Sequence, residues 1–233
     1  MKALIKCHLS YIISKTTVII ILILLVIQLF SSIIIANNAS FSIYSQNNYF
    51  YFQNTFLLLK ILSVFFGIFI FSYSFLNKQD NYSILILTSN ISRNKYFISK
   101  MIVLNLLMLI ILYTEMFVYV VVGKLLIVNF VIKSNELYLF VDLFFIVIYY
   151  SNLSLLFVQM TNNIYVVFIS ITLFIVSSVL TDNNYHIKGL DVLLPNVVEN
   201  IYFIDNEIIK IMFLITFIFT LNLIKFSRKD IIV

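Results

Sequence analysis

The chain has 233 residues, 62% of them hydrophobic and 11% charged, with a formal net charge of +5 and a mean hydropathy of +1.07. An ordinary soluble domain holds about 45–50% apolar and about 25% charged residues, so a water-soluble enzyme or a basic nucleic-acid-binding domain is excluded and a polytopic membrane protein is expected. With one Pro and three Gly, the apolar segments read as mostly unbroken helices, because a lone strand in hydrocarbon leaves its backbone unpaired.

Residues 1–15 carry Lys2, Lys6, Ser10 and Ser14 at four-residue spacing, with Leu4, Ile5, Leu9, Ile12 and Ile13 between them. That pattern predicts an amphipathic helix lying on the inner membrane surface. Crossing a bilayer core takes roughly 20 helical residues, and six segments qualify: Thr16 to Ala36, Phe56 to Leu76, Met101 to Val122, Leu137 to Met160, Ile164 to Leu180 and Ile208 to Ile224. The first is followed by Ala36-Asn37-Asn38-Ala39, which lacks a good small-x-small cleavage pattern, so it is expected to remain as an anchor. Lys60, one turn into the second span, is expected to snorkel to the outer interface. The fourth span is the most polar, with Asp142 near one end and Tyr149, Tyr150, Ser151 and Asn152 in its middle; the fifth is short.

Two stretches between spans stand out. Residues 77–100 are polar and basic and read as a cytoplasmic loop, whereas residues 181–207 mix acids with the apolar runs Val192 to Leu194 and Ile201 to Ile204. The latter reads as an outer loop with short helices capping the bundle, broken at Gly189 and Pro195. With no internal duplication or linker, residues 1–233 read as one transmembrane domain.

Six spans put Lys2, Lys6, Lys15, Lys78, Arg93, Lys95, Lys100, Lys225, Arg228 and Lys229 on one side, opposed there only by Asp80 and Asp230. The positive-inside rule makes that side cytoplasmic, with both termini inside. Glu136, Asp182, Asp191, Glu199, Asp205 and Glu207 fall on the other.

Catalytic patterns are missing from the sequence. It has no His-Glu zinc helix, no Gly-x-Ser-x-Gly elbow and no phosphate-cradling Gly-rich loop, so neither catalysis nor a cofactor bound by this chain is expected. Cys7 is the only cysteine, and beside His8 it cannot supply a tetrahedral metal site; His8 and His186 fall on opposite sides of the membrane in this topology. Glu115 is the one carboxylate well inside a span. An ionised group there costs about 2.5–3.5 kcal/mol or more unless paired, hydrated or protonated, so Glu115 either lines a substrate path or pairs with a lysine or a Tyr hydroxyl.

The cytoplasmic loop carries the most specific signal. Ile84 to Leu87 is an apolar strip among polar residues, Thr88-Ser89-Asn90 breaks the chain, and Ser92 can cap a following helix. In that helix Arg93, Lys95 and Lys100 are expected to face water or phosphate headgroups, while Tyr96, Phe97 and Ile98 return the chain to the membrane. A short helix of this kind, apolar on one side, suits a groove on a cytoplasmic protein.

Leu87-Thr88-Ser89-Asn90-Ile91-Ser92-Arg93, followed by Tyr96 and Lys100, resembles the loop between the second and third helices of ABC-2 type exporter permeases, commonly Leu-Leu-x-x-Pro-Ile/Val-Ser-Arg-x-x-Tyr-x-x-x-Lys. The six-span layout, the N-terminal amphipathic helix and the outer Leu194-Pro195 pair resemble that family as well. Asn90 stands where the family has Pro, Asn81-Tyr82 where it has Gly-Thr, and Asn77, Gln79 and Asp80 near the position of its Glu.

The resemblance implies an ATP-driven exporter of an amphipathic peptide or lipid-like molecule, similar to permeases for bacteriocins, lantibiotics and phenol-soluble modulins in the cell membrane of low-GC Gram-positive bacteria. It implies a second six-span copy, identical or related, and two separate ABC ATPase subunits that carry ATP and Mg. Ile84, Leu85, Leu87, Ile91, Ser92 and Arg93 then form the ATPase-coupling contact, and Glu115 is the candidate on the substrate path. Two alternatives stay open: a membrane-embedded immunity protein that captures a toxic peptide, and a secondary transporter. The latter would need ion-binding polar groups at broken helices.

Overall fold

Seven α-helices and a short 3-10 turn make up a computed structural model that describes residues 2–13, 15–41, 47–76, 91–182, 194–195 and 204–228. In chain order they are α1 (Lys2–Ile12), α2 (Lys15–Phe41), α3 (Asn47–Ser74), α4 (Arg93–Leu126), α5 (Ser134–Thr161), the 3-10 turn Ile164–Val166, α6 (Val167–Asp182) and α7 (Ile204–Arg228). No strand occurs among the described residues. Five helices, α2, α3, α4, α5 and α7, are long and apolar enough to cross a membrane, and the chain is an α-helical membrane protein. The fifth expected span, α6, has 16 residues, and the 3-10 turn before it adds 3. At about 1.5 and 2.0 Å per residue the two together rise roughly 30 Å, close to one bilayer core.

Helix boundaries differ from the sequence expectation in two instructive places. Helix α3 begins at Asn47 rather than Phe56, so Lys60 lies in mid-helix and is buried, 7% exposed. It therefore does not snorkel to an interface. Helix α4 begins at Arg93 and runs unbroken through the third span. Residues 93–100 are thus the first turns of a membrane helix instead of the second half of a loop. Ser92 stands at its N-cap position in extended backbone, with φ −64° and ψ 137°, but its side chain makes no capping bond; its carbonyl accepts the Tyr96 N–H at 3.1 Å.

Asparagines close two of the turns. Asn129, between α4 and α5, and Asn162, which ends α5, have φ of 59° and 56°, left-handed values that Asn tolerates better than other side chains bearing a Cβ. The Asn162 N–H closes the last turn on the Val158 carbonyl at 2.8 Å.

Helix α5 is the hub of the packing. It lies most extensively against α3 and α7 and also touches α4 and α6, while α2 rests on α4 and α3, and α1 on α4. This central place explains why the fourth span could be polar: Ser151, Asn152 and Ser154 are all buried, facing helices and not lipid. The Ser154 and Ser72 hydroxyls meet at 2.8 Å, and the Asn222 amide of α7 donates to the Asn152 carbonyl at 2.9 Å. Gly67 permits the close approach of α3 to α5, since a Cβ there would lie 2.6 Å from Ser151 Oγ and 2.8 Å from Val147 Cγ1. Helix α2 turns a stripe of Gln28, Ser32, Ala36 and Ala39 inward, the small-residue contact typical of helices packing in lipid. Most of the surface of α2 and α7 is left uncovered, with Phe30 and Phe213 among the exposed side chains.

Candidate functional site

The residues that follow segment 77–92 converge on one end of the bundle. Arg93, Tyr96, Phe97 and Lys100 sit at three- and four-residue steps on α4, so they share a face one turn after another. Against that face come α1, the residue that follows α3, and the last turns of α7.

Ring contacts hold this junction. The Tyr96 ring stacks on Phe226 of α7, with centroids 6.0 Å apart and planes 7° apart, and meets the His8 ring of α1 edge-on at 4.7 Å. Phe97 lies 5.3 Å from Phe75, 5.3 Å from Phe226 and 5.6 Å from Phe219. Arg93 donates from Nη1 to the Ser227 carbonyl at 3.1 Å, placing its charge at the C-terminal end of α7, where a helix dipole favours a cation. Arg93 thus has an acceptor within this chain.

Lys100 is the least expected member. Its side chain is fully buried, contrary to the sequence expectation that it faces water or headgroups. The Nζ donates to the Tyr96 hydroxyl at 3.4 Å and lies 4.5 Å from the centre of the Phe75 ring, 5.4 Å from that of Tyr96 and 6.0 Å from that of Tyr11. Ring faces are electron-rich, and a desolvated ammonium above one is held by about 2 kcal/mol or more. Lys95, by contrast, is exposed as anticipated.

Of the coupling residues read from the sequence, Ile91, Ser92 and Arg93 therefore lie at the mouth of this junction, Ile91 half-buried and Ser92 exposed. Ile84, Leu85 and Leu87 fall outside the described residues, as do most of residues 181–207. Leu194 and Pro195 are described, and both dock on the bundle. The Leu194 carbonyl accepts from Ser177 at 3.0 Å and that of Pro195 from Tyr150 at 3.2 Å.

Glu115 sits apart from the junction, fully buried between α3 and α4. The Ser63 hydroxyl is 2.9 Å from its Oε2 and 2.6 Å from the Leu59 carbonyl. One hydroxyl proton faces two acceptors there; a protonated Glu115 carboxyl would supply the second. The pairing with lysine or tyrosine weighed from sequence is replaced by a serine on α3. Oε1 has no hydrogen-bond partner among the described residues.

The opposite end of the bundle contains a second polar constellation that sequence reasoning missed. The Tyr51 hydroxyl of α3 donates to the Tyr119 carbonyl of α4 at 2.9 Å, and the Tyr119 hydroxyl donates to Glu136 Oε2 at the start of α5 at 3.2 Å. The two tyrosine rings stack at 5.1 Å. No side-chain group of three or more His, Cys, Asp or Glu that could hold a metal occurs among the described residues.

No protein-family model matches the chain, and the search of curated proteins gave no match.

Proposed function

We propose that this chain is the membrane permease subunit of an ATP-driven exporter, with six spans, both termini cytoplasmic and α1 on the inner membrane surface. The observation that supports the reading is the junction at Arg93, Tyr96 and Lys100. The segment that would receive a motor, residues 77–92, leads directly into side chains fixed to α1, the end of α3 and α7. A push on that segment reaches three other elements of the bundle within two turns of α4. The residues concerned are those of the exporter-like motif, two of them buried where a solvated loop would have exposed them.

Hydrolysis of ATP with Mg belongs to a separate pair of ATPase subunits, each bearing on one permease copy through Ile84, Leu85, Leu87 and Ile91. The uncovered faces of α2 and α7 leave room for a second six-span copy. The cargo is an amphipathic peptide or lipid-like molecule moved outward across a bacterial cell membrane, along a path that passes Glu115 once the bundle opens.

Co-purification of this chain from its native membrane, with any ABC ATPase subunit sought in the preparation, tests the proposal. A stable complex whose hydrolysis rises with peptide is expected; peptide binding with no ATPase would favour capture and sink the export reading. Within such a complex, Leu87→Asp should weaken motor binding more than tenfold, since a buried apolar anchor is worth about 2 kcal/mol or more and each 1.4 kcal/mol is about a factor of ten. Topology is checked separately in a background lacking Cys7. A cysteine at Val128, 85% exposed, should react with an impermeant thiol reagent from outside and one at Ser89 should not.

A further inference from the structure

A cavity of about 800 Å³ lies between α2, α3 and the turn that opens α6, with the end of α1 closing one side. Its volume is that of a small-molecule pocket, roughly 300–1,000 Å³. Along α3 the lining runs from Leu62 to Ser74, a rise of about 18 Å at 1.5 Å per residue. That is close to half of the roughly 30 Å hydrocarbon core, so the cavity is about one leaflet deep. It is too short for a helix that crosses the bilayer and suited to a single acyl chain.

The wall is chemically graded. Leu24, Leu62, Phe65 and Phe69 line its body, and hydroxyls appear where α1, the start of α2 and the end of α3 meet, from Tyr11, Thr17 and Tyr73. Phe69 and Tyr73 are about half exposed, so the cavity is open sideways to lipid. Charge is one-sided too. Residues 1–76, which supply three of its four walls, contain Lys2, Lys6, Lys15 and Lys60 but no Asp or Glu, and residues 163–181 carry no charge at all. Lys6 is exposed on α1, and Lys15 opens α2 next to the hydroxyl-lined end. Such a site complements a molecule with an apolar tail and an anionic head.

We infer that the cavity binds an anionic phospholipid from the leaflet on the α1 side, one acyl chain lying along α3 and the phosphate at the corner of α1 and α2. The inference does not rest on the exporter reading; it needs only the cavity and the lysines.

Native mass measurement of the full chain in mild detergent, with phosphatidylglycerol and phosphatidylcholine of identical acyl chains, tests it. One phosphatidylglycerol per chain should be retained, preferred by about fivefold to thirtyfold, as one to two lysines at a membrane surface supply. Leu24→Trp, which fills the cavity, should lose that lipid, whereas Ile34→Trp, 60% exposed and outside the lining, should keep it. Lys6→Gln with Lys15→Gln should abolish the preference while leaving some retention of both lipids. A second readout avoids any dependence on folding of the tryptophan variant: in a Cys7→Ser background, alkylation of Phe69→Cys should slow with phosphatidylglycerol and not with phosphatidylcholine. Equal retention of the two lipids, unchanged retention in Leu24→Trp, or efficient disulfide formation between Phe69→Cys chains in the presence of phosphatidylglycerol would each overturn the assignment, the last by making a second copy the occupant.

Discussion

Both ends of the bundle are packed with aromatic rings, and they differ in the hydrogen bonds set among those rings. At the α1 end, elements far apart in sequence meet through ring faces and edges around Tyr96, Phe97 and the buried Lys100 ammonium. At the opposite end the rings of Tyr51, Tyr119, Phe130 and Phe140 also pack together, and a chain of hydrogen bonds runs through them, from Tyr51 to the Tyr119 backbone and from the Tyr119 hydroxyl to Glu136. It joins α3 to a hairpin, α4 and α5, whose arms are connected by a short turn. Ring contacts have broad minima and tolerate sliding and tilting, whereas a hydrogen bond is lost steeply with angle and distance. The three-residue hydrogen-bond chain at the far end is therefore the more geometry-sensitive fastening, a latch, and the ring cluster at the α1 end the more compliant joint. Were the bundle driven from residues 77–92, as proposed, the compliant joint would lie beside the drive and the latch at the far end.

The comparison is broken most severely at Tyr96. Its ring is 1% exposed, stacks on α7 and meets α1, so Tyr96→Ala opens a hole that no neighbouring element can close alone. Large aromatic-to-alanine changes in cores cost about 3–5 kcal/mol, and a loss in that range is expected in thermal unfolding of the detergent-solubilised protein. Tyr96→Phe, which keeps the ring and removes the hydroxyl that accepts from Lys100, should cost much less. If both variants unfolded alike, the hydroxyl and not the ring would be holding the joint.

Between the two ends, Gly67 lets α3 lie close against α5. A Cβ at 2.6 Å from Ser151 Oγ forces the serine or the helices apart, and overpacking of this kind costs about 1–3 kcal/mol. Gly67→Ala is expected to lower stability within that range, and Gly67→Ala with Ser151→Ala to regain part of it. An additive double mutant in the same unfolding assay would show that the two side chains do not meet.

How much of this was legible in the sequence differs between the parts. Long apolar helices follow from composition alone, because hydrocarbon leaves the backbone no other partner than itself. The polarity of the fourth span was legible, but its place at the centre emerged only from the packing that buries Ser151, Asn152 and Ser154. Lys60 and Lys100 were misread for one reason: a lysine near an assumed helix end was sent to the interface, and both ends lay elsewhere. In a span that is apolar on every side, periodicity does not say which face meets another helix. The face of α4 that carries Arg93, Tyr96, Phe97 and Lys100 was nonetheless available from their spacing. The latch was not, since Tyr51, Tyr119 and Glu136 are separated in sequence and each looks like an ordinary interfacial residue.

The gentlest test concerns that latch. Tyr119→Phe removes the 3.2 Å bond to Glu136 and leaves the ring against Tyr51, Phe52, Phe130 and Phe140. Glu136 Oε2 keeps the Lys133 backbone N–H at 3.4 Å, so the carboxylate is not abandoned. Side-chain hydrogen bonds between membrane helices average about 0.6 kcal/mol, and the expected loss of stability is of that size. The larger effect should be on opening: cysteine reactivity at Glu136 neighbours such as Leu139, 5% exposed, should rise in Tyr119→Phe while reactivity at Met101, 1% exposed at the other end, stays unchanged. A parallel rise at Met101 would mean that the variant loosens the whole bundle, and the distinction between a latch and a compliant joint would fall.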